Sequence, residues 1–187
     1  AFCRTKLLRG TVALGMLSLQ PLAGNTANNI AAPMTEFFVG KPTHPMYVQH
    51  WHAAPDALPK KGKVIMVHGG SHTGIGWTTT PDGRPGWALQ FANRGWDVYV
   101  VDWPGVGRSG TRPENLPDTP TDLVDALAAL LNRTGPAAVV GHSIGAAVAF
   151  KLTERVPESV LALAALAPAS VETLGSVVPP SPLDRLS

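Results

Sequence analysis

Gly141-His142-Ser143-Ile144-Gly145 follows the apolar run Pro136-Ala137-Ala138-Val139-Val140 and precedes a helix-like stretch from Ala146 to Arg155. A strand that ends, a sharp turn and a helix that begins make a nucleophile elbow, with the serine between two glycines at the tip and its hydroxyl exposed. A side chain at either glycine would collide across so tight a turn. A serine hydroxyl is a weak nucleophile at neutral pH and needs an adjacent base; in this arrangement the partners follow in chain order as Ser, then Asp or Glu, then His. From Ile144 to Ser187 there is no histidine. The residues thus predict the front of a serine-dependent site without its base.

Outward from the elbow, short apolar segments alternate with helical ones. Thr35 to Gly40 and Met46 to Trp51 read as early strands, Lys63 to Val67 as a strand ending at His68-Gly69-Gly70, and Asp97 to Asp102 as another. Trp87 to Asn93 reads as a short helix and Pro120 to Asn132 as a longer one. Thr119 can cap that longer helix, with Pro120 at its first position, Asp122 facing its exposed amides, and Leu123, Leu127, Leu130 and Leu131 on one face. Val160 to Ala167 is a last apolar run. Near-continuous apolar strands separated by helices predict an α/β fold, a mostly parallel sheet covered on both faces.

In such a sheet chemistry gathers beyond the carboxyl ends of the strands, where three glycine-rich turns of this chain fall. The turn His68-Gly69-Gly70-Ser71 can offer a backbone amide from Gly70 or Ser71, and Ile144 offers the amide directly after Ser143. Two such donors make an oxyanion hole; losing one typically costs about 3 kcal/mol of transition-state stabilisation.

The HGGS turn, the segment Val100-Val101-Asp102-Trp103-Pro104-Gly105-Val106-Gly107-Arg108-Ser109 and the GHSIG elbow resemble the α/β-hydrolase superfamily, in that family's order. Gly69-Gly70-Ser71-His72-Thr73-Gly74 with Thr79-Thr80-Pro81-Asp82-Gly83-Arg84-Pro85-Gly86-Trp87 is similar to a smaller group of bacterial esterases sharing a TTPDGR-x-GW segment. The resemblance covers about Phe37 to Pro168. It implies a carboxylic ester hydrolase with an acyl-serine intermediate, a small-molecule ester substrate and no metal or organic cofactor. Acyl transfer, thioester cleavage and amide cleavage use the same parts, and a non-catalytic ligand-binding member of the fold is a further alternative.

The chain departs from that esterase group at the acid. The group's glutamate stands just before a proline at the end of the strand after the elbow helix, where this chain has Ala167-Pro168. Glu172, a few residues on, is a possible acid, and a later strand is the other source. The family's histidine follows a final strand, and nothing after Ser143 matches it. The expectation is a partial α/β-hydrolase domain over residues 33–187, lacking its last strands and helices and showing little turnover alone.

Six histidines are present. His142 neighbours Ser143, but consecutive residues on a tight turn point apart, which assigns it to packing or to supporting the groups that touch the substrate. His68 is expected to brace its own turn, and His72 is the best local alternative as a base. His44, His50 and His52 fall in the early strands with no assigned role. The spacing of His50 and His52 suits a metal, yet no acidic or cysteine partner lies nearby in sequence, so no metal site is predicted. Asp102 ends a strand and is expected to be structural.

With 44% hydrophobic and 15% charged residues, 187 residues are enough to bury the core of one domain. A net charge of +2 with dispersed Lys and Arg argues against a nucleic-acid surface. Arg4, Lys6 and Arg9 precede the apolar run Thr11 to Leu19, followed by Pro21 and small residues, which resembles a secretory signal peptide. The run is shorter than the roughly 20 residues that span a bilayer, so no stable membrane anchor is expected. Residues 1–32 are read as this leader, the destination as periplasmic or secreted, and Cys3 as lost with it. The chain opens on Ala rather than Met, from which a missing start is expected.

Overall fold

Period-two alternation within each strand splits its side chains between two cores. The computed structural model describes residues 32–111 and 120–169. Within them run β1 (Met34–Val39), β2 (Met46–Trp51), β3 (Gly62–Val67), α1 (Ile75–Thr78), α2 (Trp87–Ala92), β4 (Trp96–Asp102), α3 (Pro120–Thr134), β5 (Ala137–His142), α4 (Ile144–Arg155) and β6 (Val160–Leu166). Ile65 and Val67, Tyr99 and Val101, and Val139 face one side, where Leu123, Leu127 and Leu130 of α3 and Ala147, Val148 and Leu152 of α4 cover them. Val64 and Met66, Val98 and Val100, and Val140 face the other, against Trp77, Ala88 and Ala92 of α1 and α2. Each such aliphatic side chain contributes about 1.5–3 kcal/mol by leaving water.

The six strands lie in the order β1-β2-β4-β3-β5-β6. β3 pairs in parallel with β4 and β5, and β5 with β6. β1 and β2 extend the sheet antiparallel, a feature their sequence alone did not reveal. The chain leaves β3 toward β4 on one side and leaves β5 toward β6 on the other. The carboxyl ends of β3 and β5 therefore flank a crevice at which the connections diverge, the place where open α/β sheets hold ligands.

All four predicted leucines of α3 are buried. Asp122 in its first turn forms an ion pair with Lys41, at 2.8 Å. The strand into the elbow runs on to His142, two residues further than its apolar run. His44 lies in the turn between β1 and β2 rather than in a strand, because the chain reverses over residues 40–45 to pair Val39 with Met46. Residues 1–31 of the leader read over 1–32, the capping Thr119 and the possible acid Glu172 lie outside the described residues.

Candidate active site

Ser143 occupies the tip between β5 and α4 with φ 54° and ψ −121°, a conformation that a residue with a Cβ holds only when its surroundings impose it. Those surroundings are the flanking glycines. A Cβ on Gly141 would stand 2.6 Å from Ala146 Cα, and one on Gly145 would overlap His68 O of the neighbouring turn. Ser143 N–H donates to Leu166 O of β6 at 2.9 Å, and Ser143 O accepts from Ala146 N–H at 3.0 Å. The backbone is thus tied on both sides while, among the described residues, the hydroxyl has no hydrogen-bond partner.

The turn after β3 lies directly against this tip. A Cβ on Gly69 would sit 3.1 Å from Ser143 Cβ, and one on Gly70 would sit 3.1 Å from Ile144 Cδ1. The cause is the pairing of Val67 with Gly141, which sets the two turns side by side. Ser71 also has positive φ, 58°, so the segment offering Gly70 and Ser71 amides turns sharply beside the elbow. Ala167 follows Leu166 at the end of β6 with φ 42°. The position at which the esterase group carries its acid is therefore adjacent to the serine turn, and here it holds a methyl group.

His68 is buried and stacks on Trp103 at 4.8 Å. Its Nδ1 lies 2.7 Å from Gly69 O and its Nε2 accepts from Trp103 N–H at 3.3 Å, so one neutral tautomer satisfies both ends. Burial pushes its pKa below the usual 6.5, against opposing effects from the Gly69 carbonyl and Asp102; His72 and Arg108 add to the lowering. A group whose folded pKa is depressed contributes stability that is complete above its unfolded pKa and is lost as the pH falls through the folded value. Unfolding free energy is accordingly expected to decline as the pH drops below 6.5, and His68→Asn to flatten that slope. Urea titrations at half-unit pH steps check it; His50, also lowered chiefly by burial, leaves part of the slope in the variant.

His72 Nδ1 lies 2.6 Å from Gly70 O, and its ring meets His142 edge-on at 6.0 Å. Neither ring is hydrogen-bonded to Ser143. Both line a cleft of about 260 Å³ with Gly69, Trp77, Trp87 and Leu166. Trp77 and Trp87 also wall an adjoining groove of about 560 Å³ with Ile75, Thr79 and Pro81. The TTPDGR segment builds this wall. Thr80 N–H donates to Arg84 O at 2.9 Å, Asp82 pairs with Arg84 Nε at 2.6 Å, and Gly86 N–H returns to Thr78 O at 2.8 Å. That turn starts α2 beside α1 and places Trp87 5.7 Å from Trp77. The sequence carried the motif but not this role, since the two indoles meet only through the fold.

Asp102 is fully buried at the end of β4. Its carboxylate accepts from Gly74 N–H at 2.6 Å, from Arg108 N–H and Nε at 2.8 Å each, and from Arg108 Nη2 at 3.1 Å. Burial alone would raise its pKa, but the hydrogen bonds from Arg108 and Gly74 hold it below the ordinary 3.8. Arg108 also covers the Tyr47 ring at 4.2 Å, and burial, with the hydrogen bond to Glu36, pushes that phenol up to about 12. Asp102 therefore anchors the far end of the glycine turn, at Gly74, to the turn after β4.

A mostly parallel sheet with a serine turned out between glycines, where a parallel strand gives way to a helix, is the architecture of the α/β hydrolases. The chain belongs to the alpha/beta hydrolase family, whose sequence model matches residues 64–186. It is 26% identical to a protein named "Probable secreted lipase phiG" from a fungal species (strain ATCC 74256), over 66% of this chain and 49% of that one. The chain thus spans about half the length of this curated relative. Among solved structures it resembles a bacterial esterase, with TM-score 0.59, 20% identity and coverage of 74% of this chain and 68% of that one. A predicted CIB-like hydrolase from Thermoplasma acidophilum gives TM-score 0.58, 21% identity and coverage of 76% and 66%. Epoxide hydrolases and a thioesterase domain share the fold as well. No helix among the described residues is long and apolar enough to cross a membrane.

Proposed function

We propose that this chain is the nucleophile-bearing part of an exported serine esterase, in which Ser143 attacks the carbonyl of a small-molecule carboxylic ester. The observation that carries the reading is Ser143 held at φ 54° against the Gly69–Gly70 turn. In this mechanism the amides of Ile144 and of Gly70 or Ser71 hold the oxyanion of the tetrahedral intermediate. The alcohol leaves, the acyl-serine forms, and water hydrolyses it. The base that takes the Ser143 proton is a histidine outside these 187 residues, because neither His72 nor His142 is hydrogen-bonded to the serine. The acid is Glu172 or a carboxylate on a later strand, since Ala167 cannot serve. The likeness to a lipase named as secreted, together with the basic-then-apolar residues 4–19, supports export.

The test is labelling of the full-length protein with a fluorophosphonate, followed by peptide mapping. A single adduct on Ser143 is expected; a folded, unlabelled protein would overturn the assignment. It would favour the non-catalytic binding reading, for which Ala167 at the acid position is the specific support. The 187-residue chain alone is expected to show little ester turnover, and fast turnover by it would move the base to His72. The Trp77 and Trp87 wall supplies the apolar surface for the substrate's hydrocarbon part. Trp87→Ala is expected to raise KM for aryl or long acyl esters about tenfold, on the order of 1.4 kcal/mol of lost apolar contact, with kcat little changed. Steady-state kinetics of the full-length enzyme on acetyl and longer acyl esters checks this.

A further inference from the structure

We propose that His50, His52 and Asp97 form a binding site for a divalent ion of the zinc class, at the end of the sheet opposite Ser143. The pairing places them there. β2 runs antiparallel to β4 with His50 opposite Tyr99 and Trp51 opposite Val98, so one further step sets His52 opposite Asp97. Directly opposed residues and residues two apart share a face, which puts His50, His52 and Asp97 on the same side of the sheet. Asp97 is the second residue of β4 and Asp102 its last, about 16 Å away at 3.3 Å per residue, so the cluster is remote from the serine turn.

Two imidazoles and a carboxylate are the donor set of zinc-class ions, with a fourth position left for water. Their ligating atoms all lie within 4.8 Å of one another. His50 Nε2 is 3.2 Å and His52 Nδ1 3.9 Å from Asp97 Oδ1. Metal bonds of about 2.1 Å at tetrahedral angles set ligand atoms about 3.4 Å apart, so small side-chain adjustments close the shell.

The surroundings hold these groups in place. His50 stacks on Tyr99 at 4.2 Å, and Ala53 N–H donates to Asp97 Oδ1 at 3.2 Å. Thr35 Oγ1 of β1 lies 3.2 Å from His52 Nε2. When Thr35 accepts that N–H, His52 Nδ1 is left with a lone pair turned toward a carboxylate at a distance too long for a hydrogen bond. A cation between the two resolves that repulsion, and Thr35 fixes the ring as outer partners of metal-bound histidines do. His52 and Asp97 are half-exposed, which gives the ion access. Bound there, it would tie the antiparallel extension to the parallel core.

The test uses the full-length protein without a polyhistidine tag, stripped with EDTA, dialysed and titrated with zinc chloride by calorimetry. One zinc per chain at micromolar concentration and a raised unfolding temperature are expected. His52→Gln and Asp97→Asn should each weaken binding at least about tenfold, Thr35→Val about tenfold, and His44→Gln not at all. Absence of a stoichiometric site, or binding unchanged in both ligand variants, would overturn the proposal. Carbethoxylation mapping of the unsubstituted histidines covers the case in which a variant does not fold. Zinc should slow modification of His50 and His52 and spare neither His72 nor His142; equal rates with and without zinc at His50 and His52 overturn it as well.

Discussion

Ser143→Gly is expected to abolish fluorophosphonate labelling and ester turnover in the full-length protein while making the fold more stable. The hydroxyl is the only proposed nucleophile, and removing a nucleophile from a serine hydrolase lowers kcat by about 10⁶. Stability moves the other way because Ser143 holds φ 54°, a conformation that costs about 1–3 kcal/mol for a residue with a Cβ and little for glycine. Glycine's greater freedom in the unfolded chain returns about 0.5–1 kcal/mol of that, leaving a net gain on the order of 1 kcal/mol. Ser143→Ala separates the two effects: it should lose labelling equally, yet unfold in urea within about 0.5 kcal/mol of the parent because its backbone stays strained. Labelling that survives in either variant would show that another residue is the nucleophile.

Arg108→Ala should destabilise the protein by about 3–5 kcal/mol at pH 7, because it leaves the Asp102 carboxylate, with only 1% of its side chain exposed, without its charge partner. The pH dependence then reverses sign. In the parent, Asp102 has a folded pKa below 3.8, so its stabilisation is complete above that value and is lost as the pH falls through the folded one. Without Arg108, burial dominates and the folded pKa rises above the unfolded one. The deficit is therefore largest near neutral pH and shrinks as acid protonates the carboxyl. Arg108→Ala combined with Asp102→Asn should recover part of the loss, since a neutral amide replaces the unpaired charge. Denaturant titrations of the parent and the two variants at pH 7 and pH 5 measure this; an equal deficit at both values would mean that Arg108 acts mainly through its packing on Tyr47.

Local pattern carried much of the fold. Leu123, Leu127, Leu130 and Leu131 fall on one face of a 3.6-residue helix whatever lies opposite, and all four are buried. The continuous apolar run Val64 to Val67 required a strand covered on both sides, and the two cores divide its residues alternately. The glycines around Ser143 marked a turn that admits no side chain, which the near-contacts at Gly141 and Gly145 explain. The misplacement of His44 is of the opposite kind: nothing in residues 40–45 says where β1 stops and β2 starts until the two strands pair.

From its sequence alone this chain is a strand-turn-helix protein with a serine between glycines, because backbone sterics and hydrophobic periodicity act over a few residues and need no partner. Tertiary structure decided which turns meet. Strand order sets Gly69 beside Ser143 and Trp77 beside Trp87, and strand register brings Asp97 to His50 and His52 across 47 and 45 positions of chain. Order and register depend on the summed burial of whole strand faces, where a slip of one residue turns every side chain over, and no local stretch contains that sum.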